Sequence, residues 1–292
     1  MANLRDLRKR RRAAANTRKI TRTMELVASA KLKKAQDAAH ASYPFAHTVH
    51  HLLETLAEAI DRVDQHPLMR ERPVRTVTIY LMAADRGLCG SFNNNLVAKA
   101  LERAAEHRAR GRQVRFVALG KKGAAVLHFY GEPVHAVHTG VVGAPNYPAC
   151  ERIARQAMAE FLNGSSDLCE VVFARFLSAG KQEQQVCTLL PAGGDGDLST
   201  PPPAAWRPDY IFNEEPQALF DVLIPRAICA QFYAYALQTT AAEHAARRLA
   251  MKNATDAASK MVRLLTTKYN RGRQGKITQE IAEIVGAVEA MV

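Results

Sequence analysis

With 292 residues, of which 48% are hydrophobic, the chain can bury a sizeable core, and it contains no apolar run of the ~18 residues that a membrane span needs. Five scattered cysteines, an odd count without a CxxC pair, exclude a disulfide framework or a zinc site and fit reduced thiols. The net charge of +12 is lopsided: residues 1–34 carry twelve Lys or Arg against Asp6 and Glu25 alone, so a strongly basic segment leads a nearly neutral remainder.

From Asn3 to about Val63 almost nothing stops a helix. Glycine is absent, and Ala, Leu, Lys, Arg, Glu and Gln dominate. Ser42, Phe45, Val49, Leu52, Leu56, Ala59 and Val63 recur at alternating gaps of 3 and 4, a heptad-like stripe. Pro44 interrupts it, and its missing N–H predicts a bend or a helix boundary there. HPLMRERP, with Pro67 and Pro73, closes the segment.

A different pattern follows. TVTIYLMAA (76–84) reads as a buried strand and DRGLCGSFNNN as a turn into a helix over Asn95–Arg110. VRFVALG (114–120) is a second strand, KKGAAVLHFYG a short helix and VHAVHTG a third strand. YPACERIARQAMAEFLNG is an amphipathic helix closed by Asn-Gly. CEVVFARFL (169–177) and QQVCTLLP (184–191) form a strand pair across the polar loop SAGKQE. Strands alternating with helices point to an α/β domain whose sheet is largely parallel, with a hairpin at one edge.

GGDGDLSTPPP (193–203) is a loop by composition, and helix pattern resumes near Gln217 and runs to Val292. Pro225 lies close to its start, where proline is better tolerated. Leu223, Ala227, Ala230, Ala234, Leu237, Ala241 and Ala245 form an alanine-rich stripe, continued by Ala254, Ala258, Met261 and Leu265. At 1.5 Å per residue, helices of roughly 60 and 70 residues span about 90 and 105 Å, too long for a middle domain of radius about 14 Å to cover. The two must then lie against each other, antiparallel because a domain joins them.

The last helix ends oddly, in YNRGRQGKITQEIAEIVGAV. Ile277, Ile281, Ile284 and Val288 make one apolar stripe, yet Gly272 and Gly275 precede it, each costing roughly 1 kcal/mol in a helix interior. Arg273, Gln274, Thr278 and Gln279 surround them.

No catalytic constellation emerges. DRGLCGSFN lacks the GK[ST] of a phosphate loop, LGKKG (119–123) matches no motif, and Cys89 has no histidine partner in the sequence pattern. None of the ten histidines shows a ligand spacing such as HExxH. The basic N-terminus fits a basic coiled-coil nucleic-acid-binding protein. Arg8 through Arg12, however, point to all sides of a helix, and no aromatic precedes Tyr43 to stack on bases. A helix charged all round suits a surrounding acidic partner.

NTRKITRTMELVASAKLKK (16–34), DRGLCGSFN (85–93), AARRLAMKNATDAA (245–258) and NRGRQGKITQEIAEIVGA (270–287), in this order, resemble the gamma subunit of rotary ATP synthase over essentially the whole chain. The resemblance implies an antiparallel coiled coil of the terminal helices (1–66 and 217–292) around a central Rossmann-like α/β domain (67–216) with a mostly parallel sheet. It further implies a non-catalytic central shaft inside a ring of alpha and beta subunits. Epsilon and the membrane ring of c subunits lie at its foot, and the shaft itself has no membrane span and no cofactor. The expected ring contacts are Met24, Arg273, Gln274, Thr278 and Glu283, with Gly272 and Gly275 admitting a bulky neighbour. A basic collar comprises Arg8, Lys9, Arg11, Arg12, Lys19, Arg22, Lys31, Lys33 and Lys34. The family-motif turn is Asp85, Arg86, Gly87, Cys89 and Gly90.

Departures are small. Ser91 stands where a second glycine is common, and Gly275-Lys276 replaces a small pair before ITQE. The cysteine-bearing insertion of chloroplast relatives is absent, so no thiol switch is expected. The family motif begins by residue 16, so the Arg-rich start is expected to be mature protein. That points to a peripheral subunit on the cytoplasmic face of a bacterial inner membrane.

Overall fold

In the computed structural model, residues 4–59, 66–193 and 215–289 are described. The loop read in GGDGDLSTPPP lies, from residue 194 on, outside the described residues, as do Val63 and the last three residues of the final helix. The elements run α1 (Leu4–Ala59), β1 (Thr76–Met82), α2 (Phe92–Ala109), β2 (Gln113–Leu119), α3 (Lys121–Phe129) and β3 (Val134–His138). They continue α4 (Tyr147–Leu162), β4 (Leu168–Ser178), β5 (Lys181–Leu190) and α5 (Pro216–Glu289). The chain forms two compact units, Met1–Ala28 with Arg248–Val292, and Ser29–Arg247, so α1 and α5 each contribute to both.

The larger unit holds a five-stranded sheet in the order β3-β2-β1-β4-β5. β1 pairs in parallel with β2 and β4, and β2 with β3, while β4 and β5 are antiparallel. This is the expected parallel sheet with an edge hairpin. The hairpin is longer than its sequence implied: β5 begins at Lys181, so most of the polar stretch read as a loop is strand. KQEQQ is polar throughout, which suits a half-exposed edge strand and which composition alone mistakes for a loop. One face of the sheet packs Val77, Ile79 and Leu81 against Leu96, Val97 and Ala100 of α2. The other face packs Tyr80, Met82 and Val171 against Ile153, Ala157 and Phe161 of α4.

That second core also contains Phe220, Ile224, Ile228, Phe232 and Tyr235 of α5. The sequence reading kept the last helix clear of the middle domain; its first turns are instead part of the domain core. Tyr235 stacks on Phe173 at 4.4 Å, and Thr239 donates to the carbonyl of Tyr235. Large aromatics between the alanines of the stripe face the sheet, while Ala241 and Ala245 meet Leu32 and Ala35 of α1. The small residues let the two helices approach closely.

In the smaller unit α1 and α5 run antiparallel. Arg11 lies over the ring of Tyr269 at 4.9 Å, and Thr255 donates to the hydroxyl of Thr21 at 2.8 Å. Inward residues of α1 recur at heptad spacing through Leu7, Ala14, Thr21 and Ala28. Those of α5 are Met251, Thr255, Ala258, Val262 and Leu265. The alanine stripe as read from sequence is off by one residue here: Met261 is 50% exposed and Val262 faces the seam. α1 also passes through Pro44 without a boundary. The proline is exposed, so the carbonyl left without its N–H partner can be hydrated. Phe45, placed on the same stripe by spacing, is 53% exposed.

Candidate functional site

The free end of α5 is the most unusual surface of the smaller unit. Every residue from Asn270 to Ala287 is exposed. Ile277, Ile281, Ile284 and Val285 are 46%, 56%, 65% and 52% exposed, an apolar stripe with no partner among the described residues. The antiparallel register explains this. Gly272 sits opposite Leu4, so the helix beyond it has run past the described part of α1.

The glycines separate in role. A Cβ on Gly272 would lie 3.3 Å from Leu4 Cδ2, so this glycine already has a bulky neighbour within the chain. Gly275 has nothing within 4 Å. Of the predicted contact residues, Thr278 donates its hydroxyl to the carbonyl of Gln274 at 3.0 Å. Glu283 accepts from the Gln279 amide at 2.9 Å, and Lys276 approaches Glu280 at 3.6 Å. Arg273 and Gln274 extend from the same turns with no side-chain bond among the described residues.

Met24 does not join this group. It is half-buried near the level of the Thr21–Thr255 bond, more than twenty residues along α5 from Thr278, or about 35 Å. In the same unit the structure exposes Ile20, Leu26 and Val27 on α1 and Leu249 and Leu264 on α5, which the sequence reading passed over, and Met261, which it placed on the stripe. The signal was present as hydrophobic positions out of phase with the heptad. Large apolar side chains left exposed on one helix pair are candidate interaction surface.

Within the basic collar, Arg8, Lys9, Arg12 and Lys19 are exposed on α1. Arg22 pairs with Glu25 at 3.0 Å, and Arg11 is half-buried against Tyr269, so neither is a free surface charge. Lys31, Lys33 and Lys34 are exposed in the larger unit.

The family-motif turn is a latch. Asp85 accepts from the backbone N–H of Lys121 and of Gly140, at 3.1 and 2.8 Å, which seats its carboxylate at the N-terminus of α3. Asn93 accepts from the N–H of Ala84 and donates to Cys89 Sγ. Between them the backbone takes left-handed conformations at Leu88 (φ 64°) and Gly90 (φ 62°). Arg247 of α5 donates to the carbonyls of Arg86 and Gly87, to Glu243, and approaches His244 Nδ1 at 3.1 Å. Burial pushes the Cys89 thiol up, away from nucleophilic character. Gly120 and Gly123 of LGKKG are packing glycines: a Cβ there would fall 2.1 Å from the Ala83 carbonyl oxygen and 2.6 Å from Ala83 Cβ.

The fold recurs in solved rotary assemblies. The chain aligns to a chain of the Euglena gracilis mitochondrial ATP synthase with a TM-score of 0.66 at 17% identity, covering 99% of this chain and 94% of that one. It aligns to a chain of the Tetrahymena thermophila mitochondrial ATP synthase central stalk and c-ring with a TM-score of 0.59 at 22% identity, over 80% of this chain and 99% of that one. The architecture is thus that of ATP synthase central-stalk chains. A family model described as ATP synthase matches residues 3–291. The ATP synthase gamma chain of Leptospira biflexa is 37% identical over 291 residues, all of both chains, and that of Rhodopirellula baltica is 37% identical over 295. The chain belongs to the ATP synthase gamma chain family, which leaves the nucleic-acid reading without support.

Proposed function

We propose that this chain is the non-catalytic central shaft of a rotary ATP synthase. It couples ion flow across a membrane to ATP synthesis or hydrolysis by turning inside a ring of alpha and beta subunits. The observation that carries this is the bare end of α5, where isoleucines alternate with Arg273, Gln274, Thr278 and Glu283 beyond the reach of α1. A shaft alters a site only if it contacts each state of that site differently, and a lopsided helical surface supplies such differential contact. The apolar stripe gives a sliding surface, and the polar groups give bonds that break and re-form. Gly275, with open space around it, admits a bulky ring residue. Met24, some turns away, belongs to a second contact level with Ile20 and Val27.

In this reading residues 1–66 and 217–292 supply the coiled-coil shaft, with the first turns of α5 also built into the core of the 67–216 domain, which meets epsilon and the c ring. The exposed part of the basic collar faces acidic ring surfaces. The turn from Asp85 to Gly90 holds the domain to the shaft through Arg247. No residue makes or breaks a bond. The complex places the chain peripherally, on the cytoplasmic face of a bacterial inner membrane.

Co-purification tests the assignment: a tagged chain retains alpha and beta subunits after nuclease treatment, and loss of every partner on nuclease overturns it. The double substitution Gln274→Ala, Thr278→Ala then lowers coupled hydrolysis while assembly persists. Unchanged rates in assembled complexes remove these two residues from coupling.

A further inference from the structure

At the amino ends of β2 and β3 two turns lie side by side. Arg108, in the last turn of α2, grips Glu132, between α3 and β3, in a two-pronged pair whose Nη1 arm measures 2.7 Å. Phe116 pairs with Val134, so Arg115, the residue before it, stands beside Pro133. The end of α3 is closed tightly here. Gly131 takes a φ of 76°, its N–H donates to the His128 carbonyl at 3.0 Å, and the N–H of Glu132 donates to that of Leu127 at 3.0 Å. This fixed helix end holds two aromatic side chains out in water. Phe129 is 84% exposed and Tyr130 62%, their rings edge to face with centroids 5.5 Å apart. Rings so exposed contribute little to folding, because folding removes little of them from water.

The charge around the rings is one-sided. Glu132 is committed to Arg108, and Glu106 to Arg103. Arg110 and Arg115 are exposed and make no hydrogen bond or ion pair among the described residues. Aromatic rings beside free cations are the residue set of a membrane interface, where rings sit at headgroup depth and cations meet lipid phosphates. A ring standing this clear of its own protein can sink into a soft surface without any matching pocket. Its place in the fold agrees. Within the larger unit α5 enters at the amino ends of the strands, where Phe220 meets His66 at 6.1 Å. It leaves at their carboxyl ends, where Arg247 donates to the carbonyl of Gly87. The patch is thus at the pole of that unit opposite to the one by which α5 leaves.

We propose that Phe129 and Tyr130, flanked by Arg110 and Arg115, make a peripheral contact with an anionic lipid surface. The rings enter at headgroup depth, and the two guanidinium groups pair with lipid phosphates. The inference goes beyond the shaft reading and does not depend on it. A fluid lipid surface is also compatible with turning, since it fixes no one orientation.

Tyr130→Trp with Trp206→Phe puts the chain's one indole in the patch. The full chain is titrated with phosphatidylcholine vesicles brominated in their acyl chains, with and without phosphatidylglycerol. Expected are quenching of the indole when phosphatidylglycerol is present and its loss at high salt. Adding Arg110→Gln with Arg115→Gln raises the lipid concentration for half-maximal quenching by about 25-fold, at roughly fivefold per cation. Vesicle binding without quenching would mean that the N-terminal cations alone hold the chain, and it overturns the proposal, as does no binding at all. Equal quenching without phosphatidylglycerol overturns the anionic partner, and indifference to the two glutamines overturns the role of the arginines. Soluble polyglutamate that shifts the indole emission where vesicles do not makes an acidic polypeptide the partner and overturns the lipid. None of these outcomes bears on co-purification with alpha and beta subunits, so the shaft reading is judged separately.

Discussion

Arg247 concentrates four functions in one guanidinium. It neutralises Glu243 at 2.7 Å, satisfies two turn carbonyls and lies against His244. Glu243 is nearly fully buried and its Oε2 has no hydrogen-bond partner among the described residues, so the carboxylate depends on Arg247. Arg247→Ala strands that charge and lowers stability by about 3 kcal/mol in urea denaturation. Adding Glu243→Gln recovers about 1–2 kcal/mol, because the stranded group is then neutral. A double variant no more stable than Arg247→Ala would place the latch's strength elsewhere. His244 adds a pH signature. Burial first, then the charges of Arg247 and Lys31, push its imidazole down to about 4 from 6.5. The folded protein thus refuses a proton that the unfolded chain accepts. The stability His244 contributes is present above pH 6.5 and is lost as pH falls to about 4. Glu243 works in the opposite sense, since burial raises its carboxyl. His244→Gln therefore narrows the gap to wild type between urea midpoints taken at pH 6.5 and at 4.5.

Elements were legible where one periodicity ruled. The strand at 76–82 is buried on both faces from Val77 on and that at 113–119 over its last four residues, and α4 carries a clear amphipathic stripe with Asn146 capping Ala149 N–H. Legibility failed where a helix served two neighbours. From Ile228 to Ala245 α5 meets α1 on one side and the sheet on another, so its residues are buried nearly all round and no single stripe describes it. The chain's end showed the reverse problem. An apolar stripe at Ile277, Ile281 and Ile284 reads as a core face from spacing alone, and only the register with α1 reveals it as bare. The same register separates the two glycines. Gly275→Ala raises the isolated chain's stability by up to about 1 kcal/mol, since nothing opposes the methyl and helix propensity improves. Gly272→Ala gains less, because Leu4 must shift by a few tenths of an ångström. Equal gains in denaturation midpoint would mean that α1 does not confine Gly272.

At the scale of the whole molecule, surfaces that are useless to the chain's own stability are the ones left for its partners. The smaller unit exposes Ile20, Leu26 and Val27 on α1 and Leu249, Met261, Leu264 and the terminal isoleucines on α5. A free-standing protein gains nothing from so many exposed large apolar side chains, and each adds to the risk of aggregation. Within an enclosing ring the same residues become buried interface, where apolar anchors carry much of the binding energy. The two settings predict opposite outcomes for one pair of changes. Ile281→Gln with Ile284→Gln leaves the isolated chain's unfolding free energy within about 0.5 kcal/mol of wild type, because both side chains are already in water. In the assembled complex the same pair slows ATP hydrolysis or loosens retention of the chain by the ring. A variant that loses stability alone and works normally when assembled would reverse the assignment, making the stripe part of this chain's own packing.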